Sequence, residues 1–170
     1  MLKLLKLVLF LGIVGGLAGF SVGYVNSLTA PIIEENLIKL EEKNLALMFP
    51  EGEFTPIDLT DQEGYIEKAY EVKDTGIVVK FKTRGYNGSS PILALVGFNQ
   101  DGEIIDVLAL SQQETDGFGS RVFDPINIDK LYIGKGLDQE VDLLSGATVT
   151  SKGMRAALTS IQATLKERGY

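Results

Sequence analysis

Ile92-Leu93-Ala94-Leu95-Val96-Gly97-Phe98-Asn99-Gln100-Asp101-Gly102-Glu103-Ile104-Ile105-Asp106-Val107-Leu108-Ala109-Leu110 reads as a β-hairpin, and the architecture builds around it. Ile92 to Phe98 is a short run rich in apolar residues, of strand length. Asn99-Gln100-Asp101-Gly102 is a tight turn, because Asp-Gly accepts the positive φ that hairpins require. Glu103 to Leu110 then returns as the second strand.

Upstream, Ile77-Val78-Val79-Lys80-Phe81-Lys82-Thr83 predicts another strand, and Lys68 to Val72 a shorter one. Pro50 to Gly64 reads as loop. Downstream, the pattern from Ser111 to Gly136 loses its period, and Gly117 and Gly119 add flexibility. So long an irregular stretch inside a compact domain is usually functional or disordered. Ile126, Leu131 and Ile133 suggest a short helix or strand within it. At the end, Met154, Ala157, Leu158, Ile161 and Leu165 recur at helical spacing, predicting a helix from about Ser151 to Arg168. Thr150 or Ser151 is placed to cap it. The sum is an α+β fold with a largely antiparallel sheet and flanking helices over residues 51–170.

The first fifty residues have a different character. Leu7 to Val25 is a run of 19 residues without a formal charge. As a helix it would span about 28 Å, close to the ~30 Å hydrocarbon core of a bilayer. Residues 1–26 therefore read as a cytoplasmic tip and a single N-terminal transmembrane anchor. Lys3 and Lys6 precede the run, which places the N-terminus in the cytoplasm and the remaining chain outside it. A cleaved signal peptide is the competing reading, but the run exceeds the usual apolar core of about 7–15 residues. Leu28 and Pro31 also suit a cleavage site after Ala30 poorly. Gly12, Gly15, Gly16, Gly19 and Gly23 form overlapping small-xxx-small spacings that let helices approach closely, although glycine is in any case common in such spans. Residues 27–50 predict an amphipathic connector helix, with Pro31 in its first turn and Ile33, Leu37, Leu40 and Leu45 to Met48 on one stripe.

Composition removes whole classes of chemistry. The chain has no Cys and no His. Thiolate chemistry, disulfides, thiolate-bound iron–sulfur clusters, most zinc sites and a Ser-His-Asp triad are thereby excluded, and no metal site or catalytic constellation is expected. With a net charge of −7, a surface for nucleic acid is not expected either. Any redox role needs an added organic cofactor.

The chemistry concentrates in Asp142-Leu143-Leu144-Ser145-Gly146-Ala147-Thr148-Val149-Thr150-Ser151. Small and hydroxylated residues just ahead of a helix suit a phosphate, which the free N–H groups and the helix dipole stabilise. Ser, Gly and Thr in front of a helix are also ordinary capping residues. The pattern Asp-x-x-Ser-Gly-Ala-Thr, from Asp142 to Thr148, resembles the flavinylation signature of the G subunit of the Rnf electron-transport complex. The C subunit of the sodium-translocating NADH:quinone reductase carries the same signature. The resemblance extends to Gly85-Tyr86-Asn87-Gly88, to the hairpin and to Glu114-Thr115-Asp116-Gly117-Phe118-Gly119, all in the family's order and spacing, and so covers essentially the whole chain.

That resemblance implies FMN held through a phosphoester on Thr148, installed by a flavin transferase, in an electron-transfer subunit packed among other membrane subunits of a complex that couples ferredoxin/NAD electron transfer to ion movement. The expected site is Thr148 with Ser145, Gly146, Ala147, Thr150, Ser151 and Lys152, joined by Glu114, Thr115, Gly117, Phe118 and Asp142. Glu114 and Thr115 are candidates for hydrogen bonds to the flavin ring or ribityl chain, or else loop residues satisfying backbone. Lys152 and Arg155 are near in sequence to a phosphate on Thr148, or else solvated helix residues. Asp142 shapes the motif, is read by the transferase or starts a turn. Where the family commonly reads Glu-Thr-Pro-Gly-Leu-Gly, this chain has Asp116 and Phe118; Phe118 keeps an apolar surface, and Asp116 gives a less rigid, charged loop. The equivalent subunit of a sodium-translocating quinone reductase, which typically has a larger exposed domain, and an unflavinylated membrane-tethered binding or assembly module are the alternatives.

Overall fold

The computed structural model describes residues 2–170. Helix α1 runs from Leu2 to Met48 with Pro31 inside it. The anchor and the connector expected from the sequence are thus one unbroken helix. Its N-terminal part is long and apolar enough to cross a membrane. Leu7, Val8, Leu9, Phe10, Leu11, Leu17, Phe20 and Val22 are all exposed, and none of the described residues covers this apolar stretch.

Residues 40–170 form a separate compact unit. Its centre is a five-stranded sheet of β1 (Phe54–Ile57), β2 (Ile66–Val72), β3 (Gly76–Thr83), β4 (Ile92–Asn99) and β5 (Ile104–Ser111). The strands follow one another in space in chain order, every pair antiparallel. The β4–β5 hairpin forms as its sequence predicts, with Gly102 at φ +76° in the turn. The Asn99 side-chain oxygen caps that turn by accepting from the N–H groups of Asp101 (3.0 Å) and Glu103 (2.8 Å). Strand β1 lies within the stretch that reads as loop. It holds the sheet edge, where Pro56 is tolerated because only one side of the strand is paired.

Both faces of the sheet are covered, which explains why β4 reads as a continuous apolar run rather than an alternating one. Ile92, Ala94, Val96 and Phe98 face one core, whereas Leu93 and Leu95 face the other. The larger core is completed by α3 (Thr148–Arg168), whose Met154, Ala157, Leu158, Ile161 and Leu165 have no measurable exposure. Burying five such side chains contributes on the order of 1.5–3 kcal/mol for each large one. The second core is closed by Leu45, Met48 and Phe49 at the end of α1. Glu41 is buried beside them, accepting from Tyr70 Oη (2.8 Å) and pairing with Lys80 Nζ (2.5 Å). The α1 residues from Leu40 onward are therefore part of the folded unit.

The aperiodic stretch after β5 contains a 3-10 turn at Gly119–Phe123 and the helix α2 at Pro125–Leu131, with Pro at its first position. Helix α2 is the short element that Ile126, Leu131 and Ile133 suggest, with Leu131 buried, Ile133 packed against the core just beyond the helix and Ile126 82% exposed. The last helix begins at Thr148, three residues before the expected start.

Candidate functional site

The start of α3 is built by Gly146, whose φ of +82° lies in the left-handed region where a side chain is strained. The Ala147 N–H donates to the Leu144 carbonyl (3.1 Å), closing the turn that launches the helix. Ala147 is the N-cap and no side chain caps the helix, contrary to the capping expected of Thr150 or Ser151. Both hydroxyls have other tasks. Ser151 Oγ donates to the Ala147 carbonyl (2.9 Å) and accepts from the Leu144 N–H (3.2 Å), stapling the turn to the first helical residues. Thr150 Oγ1 donates to Glu114 Oε2.

Thr148 differs from both. It is the first helical residue, it is exposed, and among the described residues its hydroxyl makes no hydrogen bond. It opens into a pocket of about 450 Å³ lined by Gly146 to Thr150 on one side and by Tyr86, Thr115, Phe118 and Gly119 on the other. The N–H groups of a first helical turn have no partner within the helix, so those of Thr148, Val149 and Thr150 are available to an anion. The walls are largely apolar: Phe118 is 63% exposed, Tyr86 72% and Val149 53%. An apolar slot of this volume with the Thr148 hydroxyl and free N–H groups at one end suits a flavin nucleotide, whose ring is flat and apolar and whose phosphate is anionic.

Glu114 stands behind that lining. Its carboxylate is buried and accepts from the N–H groups of Tyr86 (3.1 Å) and Asn87 (3.0 Å) as well as from Thr150. Gly85 and Gly119 pack against it so closely that a Cβ on Gly85 would stand 2.5 Å from Oε1. Glu114 thus ties the Gly85–Gly88 loop, the 3-10 turn and α3 together from within, turned away from the pocket. Gly153 does similar work lower on α3, where a Cβ would strike the Arg84 carbonyl and where its own carbonyl accepts from Thr83 Oγ1 (2.8 Å).

Of the residues singled out from the sequence, the pocket brings together Thr115, Phe118, Gly146, Ala147, Thr148 and Thr150. Gly117, at φ +73°, shapes the loop behind Phe118, its N–H donating to Ser120 Oγ (3.1 Å). Ser145 is exposed and outside the lining. Asp142 is exposed and paired with Lys135 (3.0 Å). Lys152 and Arg155 line a different groove on α3, and Arg155 is paired there with Glu140 (2.9 Å). Sequence reasoning missed Tyr86, Gly119 and Val149 as lining residues. Tyr86 sat inside a quoted glycine-rich block, the one signal that pointed to it.

Comparison with known proteins agrees with this geometry. Residues 85–162, which include every pocket-lining residue, match the family model of the FMN-binding domain. Across 149 residues the chain is 22% identical to the G subunit of the proton-translocating ferredoxin:NAD(+) oxidoreductase complex of Clostridium ljungdahlii, covering 81% of this chain and 78% of that one. Across 94 residues it is 30% identical to the G subunit of the ion-translocating oxidoreductase complex of Shewanella piezotolerans, covering 45% of this chain and 43% of that one. Both relatives are G subunits, so the resemblance drawn from the flavinylation motif holds.

Proposed function

We propose that the chain is a membrane-anchored electron-transfer subunit of an ion-translocating oxidoreductase complex, carrying FMN as a phosphoester of Thr148. An FMN-binding domain preceded by an apolar helix supports that reading. The observation that carries it is the inequality of three neighbouring hydroxyls. Thr150 and Ser151 are committed to internal hydrogen bonds, and Thr148 alone is exposed on the pocket with its oxygen free.

With FAD as donor, Thr148 Oγ1 forms a bond to the flavin-side phosphorus, the P–O–P bond breaks, AMP leaves and the threonine proton is released. A separate flavin transferase supplies that catalysis, since the pocket holds no His, Cys or metal cluster among the described residues. Gly146 and Ala147 leave room at the attachment point, and the first N–H groups of α3 stabilise the single negative charge of the diester. Tyr86, Phe118 and Val149 shield the flavin ring from water, and Thr115 has a hydroxyl to offer it. When bound, the flavin accepts and returns one or two electrons. Phosphate attachment leaves the ring unmodified and prevents loss of the cofactor outside the cytoplasm.

Lys3 and Lys6 favour a cytoplasmic N-terminus, so the FMN domain faces the other side of the membrane. The small-xxx-small spacings of Gly12, Gly15, Gly16, Gly19 and Gly23 suit a helix that packs among other subunits. The reading extends to ferredoxin/NAD coupling by analogy with the Clostridium relative, whose name states it. The test is to load the full-length protein with a flavin transferase and FAD, then denature it and measure mass and flavin fluorescence. Wild type is expected to retain an FMN-sized addition and Thr148→Val none; flavin retained by Thr148→Val would refute the assignment.

A further inference from the structure

We infer that Arg121 is the side chain that pairs with the flavin phosphate, an assignment that rests on attachment at Thr148. Arg121 lies in the 3-10 turn that Phe118 precedes and Gly119 begins, two of the pocket's lining residues. Its guanidinium reaches across to the attachment segment: a Cβ placed on Gly146 would have Arg121 Nη1 as its nearest neighbour, at 3.6 Å. The root of the side chain is held firmly. The Arg121 N–H donates to the Phe118 carbonyl (3.2 Å), and the Arg121 carbonyl accepts from Asn127 Nδ2 (2.7 Å) and from the Asp124 N–H (3.2 Å).

The distribution of charge singles out the same residue. Among the described residues Arg121 belongs to no ion pair, whereas Arg155 is committed to Glu140 and Lys135 to Asp142. Lys152, the other cation close in sequence, lies in the groove that also contains Glu63, Glu140 and Glu167. Arg121 is thus the cation that faces the segment from Gly146 to Thr148 without a carboxylate of its own. Guanidinium presents paired donors to two phosphate oxygens, adding a full charge to the partial charge of the α3 N–H groups. Because the same phosphate is present in the FAD donor, Arg121 acts during loading as well as after it.

The test loads the full-length protein in detergent with transferase and FAD, comparing wild type with Arg121→Gln, Arg121→Lys and, as a charge control, Lys130→Gln. One readout is the initial rate of mass gain, and the other is the ³¹P resonance of the attached phosphodiester. The expected result is a rate about tenfold lower in Arg121→Gln, the scale of one lost charge-assisted hydrogen bond, with a displaced resonance. Partial rescue is expected in Arg121→Lys and none of these effects in Lys130→Gln. Wild-type loading and resonance in Arg121→Gln overturn the inference. So does a slowed rate with an unchanged resonance, which would make Arg121 a contact for the transferase alone. Failure of wild type itself to gain mass would instead defeat the Thr148 reading and this inference with it.

Discussion

Glu114 and Thr150 are joined by a hydrogen bond from the threonine hydroxyl to the carboxylate, across 36 residues of sequence. It fastens the loop after β5 to the first turn of α3, and the same carboxylate also holds the backbone of Tyr86 and Asn87. A buried charge with several donors cannot be removed without stranding its partners. Glu114→Ala is therefore expected to destabilise the domain by about 3 kcal/mol and Thr150→Val by about 1–2 kcal/mol. Urea unfolding checks both values, and the double variant should cost less than their sum because one interaction is counted twice.

Gly146 predicts a separable effect. Ala at this position meets only ordinary contact with Arg121, so its cost of about 1–2 kcal/mol comes from the left-handed backbone. Gly153→Ala, by contrast, collides with the Arg84 carbonyl and must lift α3 from β3, costing about 1–3 kcal/mol. Thermal melts should show both losses. Flavin loading per folded molecule should fall more in Gly146→Ala, which lies in the turn beside the proposed attachment residue Thr148.

Glu41 and Lys80 form a buried pair whose side chains are 6% and 13% exposed. Removing one member leaves the other charge without compensation. Glu41→Leu is expected to cost about 3–5 kcal/mol, and Glu41→Leu combined with Lys80→Met should recover most of it. A denaturation series in which the double variant is no better than the single one would contradict this account.

Tyr70 adds a pH dependence at the same place. Burial, and after it the hydrogen bond and the charge of Glu41, push its phenol up to about 12. The folded state thus holds the proton more tightly than the unfolded state, whose phenol titrates near about 10. This contribution to stability is complete below about pH 10 and is lost as pH rises toward about 12. Tyr70→Phe should show a shallower decline over that window in alkaline unfolding followed by circular dichroism.

Much of the molecule is determined locally. The Asp101-Gly102 turn, the apolar run of β4 and the repeat from Met154 to Leu165 each declare their element because backbone propensity and hydrophobic period act over a few neighbouring residues. The apolar helix at the N-terminus is legible for the same reason, and the family resemblance of Asp142 to Thr148 points to the segment proposed to carry the flavin. Tertiary structure decided the rest. Whether Thr148, Thr150 or Ser151 offers a free hydroxyl depends on Glu114 and on the carbonyl of Ala147, which only the folded chain brings to them. Tyr86 reaches the pocket, the Arg121 guanidinium comes beside Gly146, and Arg155 turns to Glu140, through contacts between segments far apart in sequence. Such pairings carry no local period or propensity, so packing alone assigns each charge and hydroxyl its partner.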